Sequence, residues 1–310
     1  MLLDRPAQAL VILVLEAAVG YPQALYRIVR HPVVWIGALI VVLEGTLNTG
    51  SAVAPRAKGC LLLIVLMLVA GGAGALLQWA ADSSTMALVV ALIASTAMLA
   101  QRSLHDHVAA VLLPLQVGEI AKAREAVSRI VGRDTATLDP EGISTAAIES
   151  LSESFCDGVV APAFWFLVAG FPGLFLCKAI NTADSIIGHK DDRYRAFGWA
   201  AARADDLVNL VPARIAGLLI CVAGPGGLVT MFRDAHRHAS PNGGWPEAAM
   251  AGVLSRQLGG PVSYDGEPAL RATLGIGSRP DVASLRSALS VYWRSCGLMW
   301  LIVAGMTWLR

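Results

Sequence analysis

Charge is scarce in this chain. Asp, Glu, Lys and Arg make up 15% of its 310 residues, whereas a soluble domain usually carries about 25%. Neither sign dominates: 24 basic and 23 acidic side chains leave a net charge of +1, which gives no general attraction to nucleic acid. Paired cysteine motifs are missing as well. The five cysteines, at 60, 156, 177, 221 and 296, form no CxxC and fall in or beside apolar stretches. That argues against a disulfide framework or a zinc site and for small buried side chains. A phosphate-binding GxxxxGK[ST] loop, a GxSxG elbow and an HExxH pair are all absent, and Gly275-Ile276-Gly277 lacks the strand and third glycine of a dinucleotide fingerprint. No internal period of 20–50 residues repeats. What the chain has in abundance is apolar surface: 55% of it is hydrophobic and mean hydropathy is +0.60. Disorder is therefore excluded. The composition is that of a membrane protein.

The apolar residues gather into segments at about 7–26, 60–80, 86–101, 159–177, 211–232 and 291–309, separated by polar segments at 102–158, 178–210 and 233–290. Residues 6–20 read as a retained first membrane segment, with no small-residue cleavage site after them. Between 60 and 100 the only charge is Asp82, so at roughly 20 residues per crossing this stretch is a helical hairpin. The segments at 159–177 and 211–232 hold Pro162, Gly170, Pro172, Gly173 and the run Gly224-Pro225-Gly226-Gly227. Such interruptions are tolerated at membrane depth where the backbone is buried or lines a cavity. Tyr292, Trp293 and Arg294 read as interfacial residues ahead of the last helix. The basic residues are spread over several loops, so the positive-inside rule selects no topology. The expected fold is all-α: a polytopic membrane protein of four to six spanning or re-entrant helices, with helical polar loops at one face and a single domain over 1–310.

Chemistry concentrates in the polar segments. Asp139-Pro140-Glu141 is the start of a helix, with an N-cap, a first-turn proline and an early acid. Glu149 and Glu153 lie four apart on that helix, and Asp157 stands one turn further on. Carboxylates on one face repel unless a cation lies between them, and Mg²⁺ takes oxygen ligands of this kind. A second cluster holds Lys178, Asn181 and Asp184, followed by Arg203, Asp205, Asp206, Asn209 and Arg214. Ionisable residues beside apolar segments are a functional signal. A third stretch, Ser240-Pro241-Asn242-Gly243-Gly244-Trp245-Pro246-Glu247, packs turn formers around one Trp and reads as a binding loop or a plain turn. Leu258-Gly259-Gly260-Pro261 continues it. The pairs His105/His107 and His236/His238 lack further ligands in sequence and are poor metal candidates. Glu44 and Asn48, four apart in an otherwise apolar helix, invite a polar partner.

These stretches resemble the adenosylcobinamide-phosphate synthases of cobalamin biosynthesis, the CobD/CbiB family. The likeness is carried by residues 123–135, by Glu149 to Glu153 with Asp157 to Pro162, and by Lys178 to Ser185. Arg203 to Asn209 with Pro212 to Arg214, and Ser240 to Glu247, extend it, as do His31-Pro32, Glu44 and Asn48 near the start. Two departures stand out: Ser154 and Cys177 occupy positions where the family is expected to carry Asn and Tyr. The resemblance implies an integral enzyme of the cell membrane, its active face cytoplasmic. It would join aminopropanol or aminopropanol phosphate to a propionate carboxylate of adenosylcobyric acid, with ATP and Mg²⁺ as cofactors. It further implies that Glu149, Glu153, Asp157, Asp184, Asp205 and Asp206 are catalytic, with Glu149, Glu153 and Asp157 holding Mg²⁺. Arg133, Lys178, Asn181, Arg203, Asn209, Arg214 and Asn242 would bind substrate. The expected partners are the corrinoid, the amine donor, membrane lipid and other cobalamin-assembly enzymes, with no nucleic acid. A proton-coupled carrier and a non-catalytic scaffold for corrinoid assembly are the rival classes.

Overall fold

The computed structural model describes residues 3–22, 26–27, 30–49, 54–189, 191–264 and 266–308. Residues 23–25 of the first expected segment and residue 309 of the last lie outside them. The chain resolves into two compact units. One comprises Met1–Ala100, Ala161–Asn209 and Val303–Arg310; the other comprises Gln101–Val160 and Leu210–Ile302.

In the first unit, α1 (Arg5–Val19) starts on an Asp4 side chain that accepts from the Ala7 backbone N–H at 2.9 Å. Then come α2 (Pro32–Leu47), α3 (Pro55–Ser83) and α4 (Thr85–Thr96). The last two form the expected hairpin, turning at an extended Ser84. Further on, α8 (Ala161–Ile187) and α9 (Trp199–Val208) complete the unit. Ile40, Leu62, Leu66, Ala179, Ile187 and Phe197 pack into one core across α2, α3, α8 and the turn before α9. Two glycines of α3 permit the close approach. A Cβ on Gly59 would lie 1.8 Å from the Phe197 carbonyl oxygen, and one on Gly74 would lie 2.7 Å from Pro172 Cα. The opposite face of α3 is bare and apolar, with Leu68 70% and Leu76 65% exposed. In water that face would be a liability; in lipid it is the expected surface.

The helix α8 breaks at Gly170, whose φ of +66° suits only glycine. A Cβ there would meet Gln78 Oε1 at 2.5 Å, and Arg5 Nη1 donates to the freed Val168 carbonyl at 2.9 Å. The interruption is satisfied by neighbouring side chains, as irregular backbone at membrane depth must be. Glu44 finds the polar partner that its position invited: Arg193 donates to Oε1 at 2.9 Å and to Oε2 at 3.1 Å, and Asn48 donates to Oε1 at 2.9 Å.

The second unit holds α5 (Gln101–Gln116), α6 (Ile120–Ser128) and α7 (Pro140–Phe155), with a π-helical turn at Cys156–Val160. It continues through α10 (Leu210–Ala223), α11 (Gly227–Asp234), α12 (Gly244–Leu254) and α13 (Val282–Trp308). One feature departs from a wholly helical reading. β1 (Leu258–Tyr264) and β2 (Glu267–Leu274) pair antiparallel, with Gly260 opposite Arg271. Tyr292 also departs from its expected interfacial role. It is 1% exposed, stacks edge-on against Phe155 at 5.6 Å, and donates to the Gln101 carbonyl at 2.8 Å. The last helix begins nine residues earlier than its apolar run, so Tyr292 stands inside the helix rather than at its entry. Gly224 and Gly227 pack against Val253 and Ala249 of α12, again serving close helix contact.

Among the described residues, four helical stretches are long and apolar enough to span a membrane: Pro55–Ser83, Thr85–Gln116, Pro140–Ile187 and Val282–Trp308. A fifth arises if α9 and α10 form one bent span. Among the described residues the fold is an all-α polytopic membrane protein carrying one small hairpin.

Candidate functional site

The first wall of the site is α7. Its Asp139 cap accepts from the Gly142 N–H at 2.7 Å, as the Asp-Pro-Glu signal requires. From that fixed start the helix aims Glu149 and Glu153 along one face, and Asp157 follows in the π turn. Glu149 is 1% exposed. Its Oε2 accepts from Arg133 and, at 3.0 Å, from Arg271, while its Oε1 accepts from the Gly259 backbone N–H. A buried carboxylate met by two guanidiniums and a backbone donor is fully satisfied.

Arg133 stands in the connection after α6, and Arg271 lies on β2. Asp134 locks the two together. Its N–H donates to the Ser263 carbonyl at 2.9 Å, and its Oδ2 accepts from Ser263 Oγ at 2.6 Å and the Gly266 N–H at 2.9 Å. Gly259 has φ +80°, and a Cβ on it would lie 2.1 Å from the Ala272 carbonyl oxygen. Only glycine lets that N–H reach Glu149. Arg133, Glu149, Glu153, Asp157, Tyr264 and Arg271 thus line a cavity of about 210 Å³.

The second wall is the turn entering α12. Ser240 Oγ accepts from the N–H groups of Asn242 and Gly243, both at 3.2 Å, which fixes the stretch as a built loop. A Cβ on Gly243 would lie 2.9 Å from Glu153 Oε1, so glycine allows this loop to close on α7. Arg214 and Asn242 hold each other at 3.0 Å, and Arg214 lies 4.6 Å over the Trp245 ring. Glu247, in the first turn of α12, is wholly buried. Arg271 Nη2 donates to Glu247 Oε1 at 2.9 Å, and stands 2.7 Å from His238 Nε2 and 3.6 Å from Glu153 Oε1. Burial, with Glu153 and Glu149 nearby, pushes the Glu247 carboxyl well above its ordinary range despite Arg271. Burial alone would lower Arg271, but Glu247, Glu149 and Glu153 override it and raise the guanidinium. Burial holds the His238 imidazole below its usual value, the pull of Glu153 and Glu149 notwithstanding.

The remaining sequence candidates lie in the first unit. Lys178, Asn181 and Asp184 project from α8; Arg203, Asp205 and Asp206 from α9, which Asn209 caps. Asp184, Asp205 and Asp206 are close enough to repel one another, and Asn181 hydrogen-bonds Asp205. Arg203 pairs with Asp206 at 3.0 Å, and Asn209 Nδ2 donates to Asp205 Oδ2 at 3.0 Å. Among the described residues, the buried Asp205 Oδ1 and Asn209 Oδ1 have no hydrogen-bond partner.

Sequence spacing thus brought Glu149, Glu153 and Asp157 to one cavity with Arg133, and gathered the Asp184–Asn209 cluster. It missed Arg271 and Tyr264, because the hairpin gave no strand signal. His238 was set aside for want of nearby ligands, and those ligands come from other elements. Glu247 closes the Ser240–Glu247 motif, which was the available pointer to it. Glu149, expected as a metal ligand, spends both oxygens on protein donors. The group with metal-ligand spacing among the described residues is Glu153, His238 and Glu247.

These features define a polytopic α-helical membrane protein with a buried carboxylate–guanidinium site. The family model described as CobD/Cbib protein matches residues 9–292, and the chain belongs to that family. The cobalamin biosynthesis protein CobD of Rhodobacter capsulatus is 45% identical over 301 residues, 96% of each chain. The proteins of the same name from Brucella anthropi and Rhizobium meliloti are 44% and 40% identical, each over 93% of this chain and 92% of theirs. No solved structure matches.

Proposed function

We propose that the chain acts in cobalamin biosynthesis as an ATP-dependent amide ligase. It joins aminopropanol, free or O-phosphorylated, to a propionate carboxylate of adenosylcobyric acid, giving adenosylcobinamide or its phosphate. Family membership supports the pathway. The observation that carries the chemistry is the cavity in which Arg133 and Arg271 face Glu149, Glu153 and Asp157.

A volume of about 210 Å³ lies below the ~300–1,000 Å³ of a drug-sized pocket. It suits a propionate arm and a three-carbon amine, with the macrocycle outside. In this reading Arg133 and Arg271 hold the anionic carboxylate or phosphate bidentately. Glu153 and Asp157, the other two carboxylates that line the cavity, take the proton that leaves the amine neutral for attack. The residues fit a divalent cation: Glu153 and Asp157 offer oxygens to the cavity, and the buried Glu247 Oε2 accepts no hydrogen bond among the described residues. Bound Mg·ATP supplies activation of the substrate carboxylate. Asp184, Asp205 and Asp206, with Asn181 and Asn209, serve the amine or the corrin amides, and Lys178 and Arg203 its anionic groups. Arg214 and Asn242 position the Ser240–Glu247 loop. A cytoplasmic face of the cell membrane places the site beside ATP, with other cobalamin-assembly enzymes as neighbours.

Purified protein in detergent, given adenosylcobyric acid, Mg·ATP and either amine, is expected to yield amide with stoichiometric ATP consumption, read by mass spectrometry. Glu153→Gln and Asp205→Asn are expected to lower kcat at least 100-fold with normal membrane insertion. Folded, corrinoid-binding protein that forms no amide with either donor, or corrinoid transport into liposomes without ATP, overturns the reading.

A further inference from the structure

The geometry points to a site for a first-row divalent transition metal at Glu153, His238 and Glu247, whose cation position is filled in this structure by the Arg271 guanidinium. Glu153 Oε1, His238 Nε2 and Glu247 Oε1 lie within 4.8 Å of one another, and the imidazole nitrogen stands 3.6 Å from each carboxylate oxygen. Ligands about 2.0–2.2 Å from a shared ion stand roughly 3–3.5 Å apart, so only a small contraction separates this triad from coordination geometry. Arg271 Nη2 sits among the same three atoms, at 2.7 Å from His238, 2.9 Å from Glu247 and 3.6 Å from Glu153. The protein has put a positive charge where the ion belongs.

Three further observations bear on it. First, the His238 ring is held in place by its own turn: the Ser240 backbone N–H donates to Nδ1 at 3.1 Å, and Nε2 faces the two carboxylates. A ring fixed at its far nitrogen in this way keeps the near nitrogen aimed at the site. Second, Glu247 is 0% exposed, and among the described residues its Oε2 has no hydrogen-bond partner. A fully buried carboxylate oxygen without a donor is costly unless a cation meets it. Third, three carboxyl groups, those of Glu149, Glu153 and Glu247, share two guanidiniums, Arg133 and Arg271.

Arg271 need not leave for the ion to enter. Its Nη1 stays on Glu149 Oε2 at 3.0 Å, and only the Nη2 edge turns away. The turned guanidinium and the ion would then share the cavity as a joint receptor for an anionic group. The donor set decides the metal class. Mg²⁺ favours oxygen ligands alone, whereas a mixed imidazole–carboxylate set suits Mn²⁺, Fe²⁺ or Zn²⁺. The site shares Glu153, Glu247 and Arg271 with the ligase reading, and the metal alone as probe tests it separately.

The test is titration of metal-stripped, detergent-solubilised full-length protein with Mn²⁺. Free ion is followed by electron paramagnetic resonance, with no nucleotide or corrinoid present and Mg²⁺ added as competitor. One Mn²⁺ per chain is expected, held at least tenfold more tightly than Mg²⁺. Glu247→Gln and His238→Gln are each expected to weaken it at least tenfold, and Arg271→Gln to tighten it severalfold by removing the competing charge. Circular dichroism and gel filtration check that each variant folds; should one fail, the other ligand variant and Arg271→Lys carry the comparison. Absence of stoichiometric Mn²⁺ from both the wild type and Arg271→Gln overturns the site. So does binding indifferent to the ligand variants, or preference for Mg²⁺. A chain that binds Mn²⁺ yet forms no amide sinks the ligase reading and leaves the metal site standing.

Discussion

The two units each hold a carboxylate cluster, and the clusters are built on opposite principles. In the second unit, Glu149 and Glu247 are answered by guanidiniums from Arg133 and Arg271 and by the Gly259 backbone N–H. In the first, Asp205 is answered by amides, from Asn181 and Asn209, and one buried oxygen each on Asp205 and Asn209 has no partner among the described residues. Breaking a buried ion pair by removing one partner costs about 3–5 kcal/mol, since the remaining charge is stranded. Neutralising an oxygen that had no partner costs little. Acidic residues alike in sequence are thus structural to different degrees.

The largest effect should come from Glu149→Gln, which leaves Arg133 and Arg271 without their shared acceptor. A loss of about 3–5 kcal/mol is expected, read by urea unfolding in detergent with hydrogen exchange at α7 and the hairpin. A loss under about 1 kcal/mol would erase the contrast. Next, Gly59→Ala should destabilise the first unit by about 1–3 kcal/mol, because the new methyl meets the Phe197 carbonyl. Exchange protection in α3 and α8 reports it, and unchanged protection counts against that packing.

A pH measurement sharpens the comparison within the second unit. Arg233 beside Asp234, with the Gly275 N–H and Arg237, pulls this carboxyl down to about 2, burial opposing. A folded value below the ordinary ~3.9 means a contribution fully present above about pH 4 and lost as pH falls towards 2. Asp234→Asn should abolish the acid-dependent part and leave the neutral-pH slope unchanged; an identical acid profile in the variant would contradict the clasp. The smallest change is expected from Asp205→Asn. It should alter unfolding free energy by under about 1 kcal/mol, in either direction, while the proposed activity falls. A loss as large as that of Glu149→Gln would show that the two clusters are not different in kind.

The helix starts, the hairpin at Pro55–Thr96 and the shared face of Glu149 and Glu153 were legible in the sequence. Each depends on neighbours within a few positions: a cap and proline at Asp139-Pro140, a polar break at Asp82 to Ser84, a spacing of four on one helix. The glycine interruptions were legible as breaks but not as contacts. What fills Gly170 is Gln78, some 90 positions away in the chain. The β-hairpin was silent because its glycines and prolines read as loop, and its pairing depends on Asp134 from another part of the unit.

By itself, then, the sequence determined the medium, the helical class and which acids share a face, since composition and the 3.6-residue period are local quantities. Only the tertiary structure decided which acids are satisfied and which are not. Arg271, His238 and Glu247 meet Glu153 from three separate elements, and the charge balance of a site is a sum over everything that folding brings within a few ångströms.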